Sequence, residues 1–381
     1  MSTPSPDPPL GLYVHVPFCA SRCGYCDFNT YVPGTITGPG ADPVGYVEAA
    51  AREIRLAREV MAERAGALDT VFFGGGTPTL LPPSALARLL EGIRAEFGLR
   101  PGAEVTTEAN PESVDPASLA ALRAAGFTRV SLGMQSAAGH VLDVLDRRHR
   151  PGRAVAAARE ARAAGFEEVS LDLIYGTPGE TAADWEASLE AALSAGPTHL
   201  SAYALVVEPG TALARRVARG ELPRPDDDVL ADRYERADAV LSAAGLAWYE
   251  ISNWGSPCRH NIGYWTGGDW WGIGPGAHSH LAGVRWWNRK HPAAYAAALA
   301  AGHSPEQGRE VLTAGQRADE RVLLGLRLAE GLPAAGLDPA ALRKIVVDDL
   351  ARLLPSASGP RVVLSLRGRL LADAVVRELV A

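Results

Sequence analysis

The sequence predicts an α/β fold: a partial (β/α)6 barrel followed by a small, mainly helical C-terminal domain. Two observations carry that expectation. First, six short β-branched and aromatic runs, at 11–18, 70–75, 104–109, 129–134, 168–174 and 199–207, alternate with longer stretches of helical period at 43–64, 83–97, 115–125, 139–145, 151–164 and 181–195. Each crossover in such a series must return to the same side, so the strands run parallel. Second, two helices close on the same ending, Ala125-Gly126-Phe127 and Ala164-Gly165-Phe166. Glycine there takes the left-handed conformation past the last turn, and the Phe opens the next strand. Six repeats rather than eight imply a barrel open at one edge, with an open doubly wound sheet as the structural alternative.

Length and composition bound the rest. A chain of 381 residues, 47% hydrophobic and 21% charged, has room for one large domain and one small one and is not globally disordered. A formal net charge of −7 argues against non-specific nucleic-acid binding, which needs clustered positive charge. Residues 1–10 are rich in Pro and Ser and are expected to be disordered. They lack the basic region and apolar stretch of a signal peptide. No run of about 18 apolar residues predicts a membrane span. The expectation is a soluble cytoplasmic protein, in which four cysteines serve better as metal ligands than as disulfides.

The barrel is expected to occupy 11–215. In 216–305 the rhythm changes: a helix at 225–244 leads to 248–254, and six of the eight tryptophans fall between Trp254 and Trp287. The remainder, 306–381, reads as a separate small domain. Thr313 and Gln316 make a helix N-cap with a capping box, and 361–371 reads as a terminal strand or hairpin.

The chemistry begins directly after the first strand, with Cys19-Ala-Ser-Arg-Cys23-Gly-Tyr-Cys26. Strand C-terminal ends are where βα barrels keep their active groups. Three thiolates are soft ligands suited to an iron–sulfur cluster, and three rather than four leave one iron open. The alternative is a zinc site completed by His15 or Cys258. The spacing resembles that of the radical SAM superfamily. That resemblance implies a [4Fe–4S] cluster on Cys19, Cys23 and Cys26 whose open iron binds S-adenosylmethionine (SAM), with Tyr25 near its adenine.

Further motifs sit at successive strand ends. Gly74-Gly75-Gly76-Thr77-Pro78-Thr79 follows strand two, and its glycines allow close approach of a ligand to the backbone. A phosphate loop is the rival reading, but no Gly-Lys-Ser/Thr follows. Glu108, Gln135 with Ser136, and Asp172 end or lie in strands three, four and five, and Arg147 offers a fork for a carboxylate.

Together with Tyr13-Val-His15-Val-Pro17 and Gly274-Pro-Gly-Ala-His278, these motifs resemble the oxygen-independent coproporphyrinogen III oxidase-like family, from about residue 11 onward over nearly the whole chain. That family holds the dehydrogenases and the HemW-type heme chaperones. The resemblance implies a partial (β/α)6 radical SAM barrel with a small HemN-C-like helical domain. It also implies that Tyr13, Gly75, Gly76, Thr77, Glu108, Gln135, Arg147 and Asp172 contact SAM.

Three departures separate the two branches. The dehydrogenases have a fourth cysteine two residues after the third, where this chain has Phe28, and a longer N-terminal extension. The chaperones have HNxxYW, found here as His260-Asn261-Ile-Gly-Tyr264-Trp265. A neutral imidazole ligates heme iron well, and Tyr and Trp offer flat apolar area to a porphyrin. The expectation is therefore a heme-binding chaperone that holds heme through His260, oriented by Asn261, with His278, His280 and Cys258 as further ligand candidates. Its partners would be heme, apo-proteins such as membrane-bound respiratory hemoproteins, and a second copy in a homodimer, but no nucleic acid. The alternative is the dehydrogenase itself, an oxidative decarboxylation of two propionates to vinyl groups. Whether the chain is an enzyme stays open.

Overall fold

A computed structural model describes residues 9–62 and 66–380. Most of the expected N-terminal disorder, residues 1–8, lies outside the described residues; Leu10 already belongs to the first strand.

The barrel follows the sequence pattern closely. Its strands are β1 (Leu10–Val16), β2 (Leu68–Gly75), β3 (Leu99–Ala109), β4 (Arg129–Gln135), β5 (Glu168–Tyr175) and β6 (His199–Ala204). Neighbours pair in parallel, in sequence order. The crossovers are α1 (Pro43–Met61), α2 (Pro83–Phe97), α3 (Pro116–Ala125), α4 (Gly139–Val144), α5 (Arg153–Ala163) and α6 (Ala182–Ser194). Asp115 and Thr181 start α3 and α6 with reciprocal capping boxes, which fix where each crossover begins. Alternation along β1 sorts the two faces. Leu12, Val14 and Val16 are fully buried with the helices, while Tyr13 lines the lumen.

The sheet does not stop at six strands. After α7 (Ala212–Ala218) and α8 (Asp227–Ala243) come β7 (Trp248–Glu250) and β8 (Asn253–Gly255), which close antiparallel onto β6. A short helix, α9 (Arg259–Trp265), crosses to the other edge. There β9 (Asp269–Ile273) pairs parallel with β1, followed by antiparallel β10 (His278–Leu281) and β11 (Val284–Asn288). After α10 (Pro292–Ala300), β12 (Glu306–Val311) completes a 12-stranded sheet. Five of the six tryptophans of the Trp-dense stretch thus lie in strands, with Trp265 in α9, and residues 306–311, expected to open the C-terminal domain, pair with β11.

Thr313 then caps α11 (Ala314–Gly325) through the expected box with Gln316. The C-terminal unit adds β13 (Leu332–Pro333), α12 (Pro339–Val347), β14 (Ala351–Leu354) and β15 (Arg361–Leu364) around its own core of Leu326, Ile345 and Val362. Of the expected terminal strand or hairpin at 361–371, residues 361–364 form a strand, β15, paired antiparallel with β14. Ser365 caps a new helix through Gly368 N, so the chain ends in α13 (Leu366–Leu370) and α14 (Ala372–Val380). No described helix is long and apolar enough to cross a membrane.

Candidate functional site

The cysteine loop is anchored on both sides. Tyr31 N donates to Pro17 O at 2.7 Å and Cys19 N to Tyr31 O at 3.0 Å, closing its base. Gly24 N donates to Leu145 O, and a Cβ on Gly24 would strike Asp146 at 2.4 Å. The glycine run of β2 is pulled under the same loop: Gly76 N donates to Val16 O and Thr77 N to Phe18 O. A Cβ at Gly76 would lie 2.5 Å from Phe18 O, and one at Gly75, where φ is +104°, 2.5 Å from the His15 ring. These glycines therefore make room first for the chain itself, and only then for a ligand.

Thr77 Oγ1 reaches Cys19 Sγ at 3.8 Å, and Arg147 Nη1 reaches Cys23 Sγ at 3.7 Å. Arg147 Nη2 donates to Gly133 O, while its buried Nε has no partner among the described residues. Burial pushes the Cys19 and Cys26 thiols up, so without a bound cation they stay protonated. Glu108 accepts from Gly75 N at 3.0 Å; burial and the Asp172 charge raise it to about 7. Asp172 is held by the hydroxyls of Ser131 and Ser201 at 2.9 and 2.8 Å, and burial raises it too. Gln135 sits at φ +64° beside an irregularity in the β4–β5 register, a strained conformation that carries its side chain to the lumen.

One cavity of about 1030 Å³ gathers Cys19, Cys23, Cys26, Tyr25, Tyr13, Gly75, Gly76, Thr77, Glu108, Gln135, Arg147, Asp172 and His260 on its wall. Three thiols on that wall fit a cluster held by three thiolates. The candidates for a fourth ligand are engaged elsewhere. His15 bonds Tyr13 Oη and Asn29 O, and Cys258 donates to Glu104, with burial raising its thiol to about 12.

The HNxxYW histidine stands at the start of α9, on the wall of the cavity. Glu104 accepts from Arg259 N and His260 N and so caps the start of α9. The His260 ring is buried against Phe72, with its Nδ1 2.7 Å from Thr70 Oγ1 and its Nε2 2.8 Å from Tyr264 Oη. Burial lowers it to about 3, so it is neutral, yet both nitrogens are committed. Ligation of iron by this ring requires either Thr70 or Tyr264 to give up its bond. Asn261, expected to orient it, bonds Glu250 instead.

Sequence reasoning missed Asn29, Ser131 and Ser201. Alternation along β4 and β6 could have put the two serines on the lumen face.

A three-cysteine loop at the mouth of a partial parallel barrel defines a class, the radical SAM proteins, and residues 13–192 match the Radical SAM superfamily. The chain is 58% identical over 379 residues to the heme chaperone HemW of Mycobacterium tuberculosis, covering 99% of this chain and 96% of that one. It is 38% identical to the Escherichia coli HemW over 72% of this chain and 71% of that one. A solved structure of coproporphyrinogen III oxidase (HemN) from Escherichia coli superposes with a TM-score of 0.81 at 24% identity, over 98% and 90% of the two chains, and shows the shared fold. The chain belongs to the HemW family.

Proposed function

We propose that this chain is a heme chaperone that carries a [4Fe–4S] cluster on Cys19, Cys23 and Cys26, binds SAM beside it, and passes heme to client hemoproteins. The observation that carries the reading is the 58% identity to a protein named heme chaperone, spread over 99% of the chain. The site supports the rest. Three thiols on one wall suit a cubane with one open iron. Arg147, Glu108 and Asp172 offer a cation and two carboxylates to the amino-acid end and ribose of SAM. Tyr13, Gly75, Gly76, Thr77 and Gln135 complete that cradle. When bound, cluster and SAM supply one-electron chemistry; in a chaperone they govern binding or release of the cargo. Membrane-bound respiratory hemoproteins are the client class, and a homodimer is compatible with this role.

The test uses anaerobically reconstituted protein. Hemin should bind with a sharp Soret band and then move to an apo-hemoprotein acceptor. Absence of binding, or conversion of coproporphyrinogen III to protoporphyrinogen in the presence of SAM and a reductant, would overturn the reading.

A further inference from the structure

The continuation of the sheet past β1 creates a second surface, outside the cavity. Strand register places Trp270 beside Gly11, His280 opposite Trp270, Arg285 opposite His280, and Trp287 opposite His278. All five side chains therefore share the face that bears Tyr13, the concave side of the open barrel, and none of them lines the cavity.

His278 is the exposed member of this group, and neither of its ring nitrogens has a hydrogen-bond partner among the described residues. Its ring stacks on Trp287, with centroids 5.9 Å apart at 27°. Trp287 in turn lies across Gly308 of β12, where a Cβ would come within 2.7 Å of the indole. The missing side chain lets the indole settle on the sheet, and the indole steadies the imidazole. Partial burial, then the cations of Lys290 and Arg285, lower the affinity of His278 for a proton and keep it in the neutral, ligating form. Arg285 is already spent on Glu310 and Glu320. Lys290 has no carboxylate partner among the described residues and stands ready for an anion.

A neutral imidazole with a free lone pair, flat indole surface around it and a spare cation match an iron porphyrin with its propionates. We propose that His278 is the axial ligand of heme, which lies on the Trp270–Trp287 face with a propionate at Lys290. This site rests on the heme reading above and differs from the HNxxYW position. His260 is enclosed with both nitrogens bonded, whereas His278 is open with both free.

The test titrates hemin into the full-length wild-type chain and into His278→Ala and His260→Ala, following the Soret band. His278→Ala should lose the imidazole-type band and bind about tenfold more weakly or worse, and added imidazole should restore the band. His260→Ala should keep the wild-type maximum. Because His278 is a surface residue, its variant should fold normally, which circular dichroism checks. A wild-type band and affinity in His278→Ala would overturn the site and leave the heme reading standing. Absence of heme binding by the wild-type chain would overturn the heme reading, and the site with it.

Discussion

The side-chain amide of Asn29 donates to the carbonyl oxygen of Lys290 at 2.8 Å. The same amide nitrogen donates to Pro275 O at 2.9 Å, and Tyr31 Oη adds a bond to Lys290 O at 3.2 Å. Asn29 lies three residues past Cys26, so the loop that presents the thiols also grips both ends of the β10–β11 hairpin. Assembly of a cluster on that loop should therefore tighten residues 275–290. Hydrogen exchange of those amides should slow on reconstitution of the wild-type chain. In Asn29→Asp, which turns a donor into a carboxylate facing two carbonyls, exchange should be fast with or without the cluster. Equal slowing in the variant would break the link.

Each of Cys19→Ala, Cys23→Ala and Cys26→Ala should abolish incorporation of a full cluster, seen as loss of iron and of the broad thiolate-to-iron absorbance. The fold should survive, because the buried core under β1 is made by Leu12, Val14 and Val16 rather than by the thiols. A full cluster in any one variant would remove that cysteine from the ligand set.

Glu108 gives a pH signature. Its folded value is raised to about 7, so its contribution to stability is present at low pH and lost as pH rises through neutrality. Glu108→Gln should therefore unfold at a higher temperature than wild type at pH 8, by roughly 2–3 kcal/mol in stability, and show little advantage at pH 5. A cationic ligand group reverses the sign. SAM should bind the wild-type chain more tightly at pH 8 than at pH 6, and the Gln variant should lose that dependence in a calorimetric titration. A wild-type affinity independent of pH would remove Glu108 from the SAM cradle.

The barrel was legible because its signals are local. Alternation along β1, the Ala-Gly-Phe endings and the caps at Asp115, Thr181 and Thr313 each act within a few residues. The continuation of the sheet was not legible. Pairing of Leu10 with Asp269 depends on which edge the chain reaches after α9, and no local pattern encodes that. The cysteine loop and the polar strand ends pointed to one mouth, and they do line one cavity. The packing of the HNxxYW motif was not legible from residue types alone. His260 and Tyr264 lie one helical turn apart, and α9 rotates both inward so that they bond each other.

Arg369, in α13, links the C-terminal unit to α8. Arg369 makes a two-pronged ion pair with Asp238 of α8, both bonds 2.8 Å, and its guanidinium lies 4.3 Å from the Trp248 ring centroid. The Arg369 side chain is only 7% exposed, so solvent screens the pair weakly. Removing one partner leaves the other charge poorly solvated, which costs about 3 kcal/mol. Arg369→Met should therefore destabilise the chain and expose the segment around residue 312 to limited proteolysis. Arg369→Lys should rescue little, since an ammonium cannot bond both carboxylate oxygens and cover an indole at once. The double variant Arg369→Met with Asp238→Leu should recover much of the loss, because no unpaired charge then remains. Thermal unfolding of the three variants checks this, and full stability in Arg369→Met would show that the unit is held by other contacts.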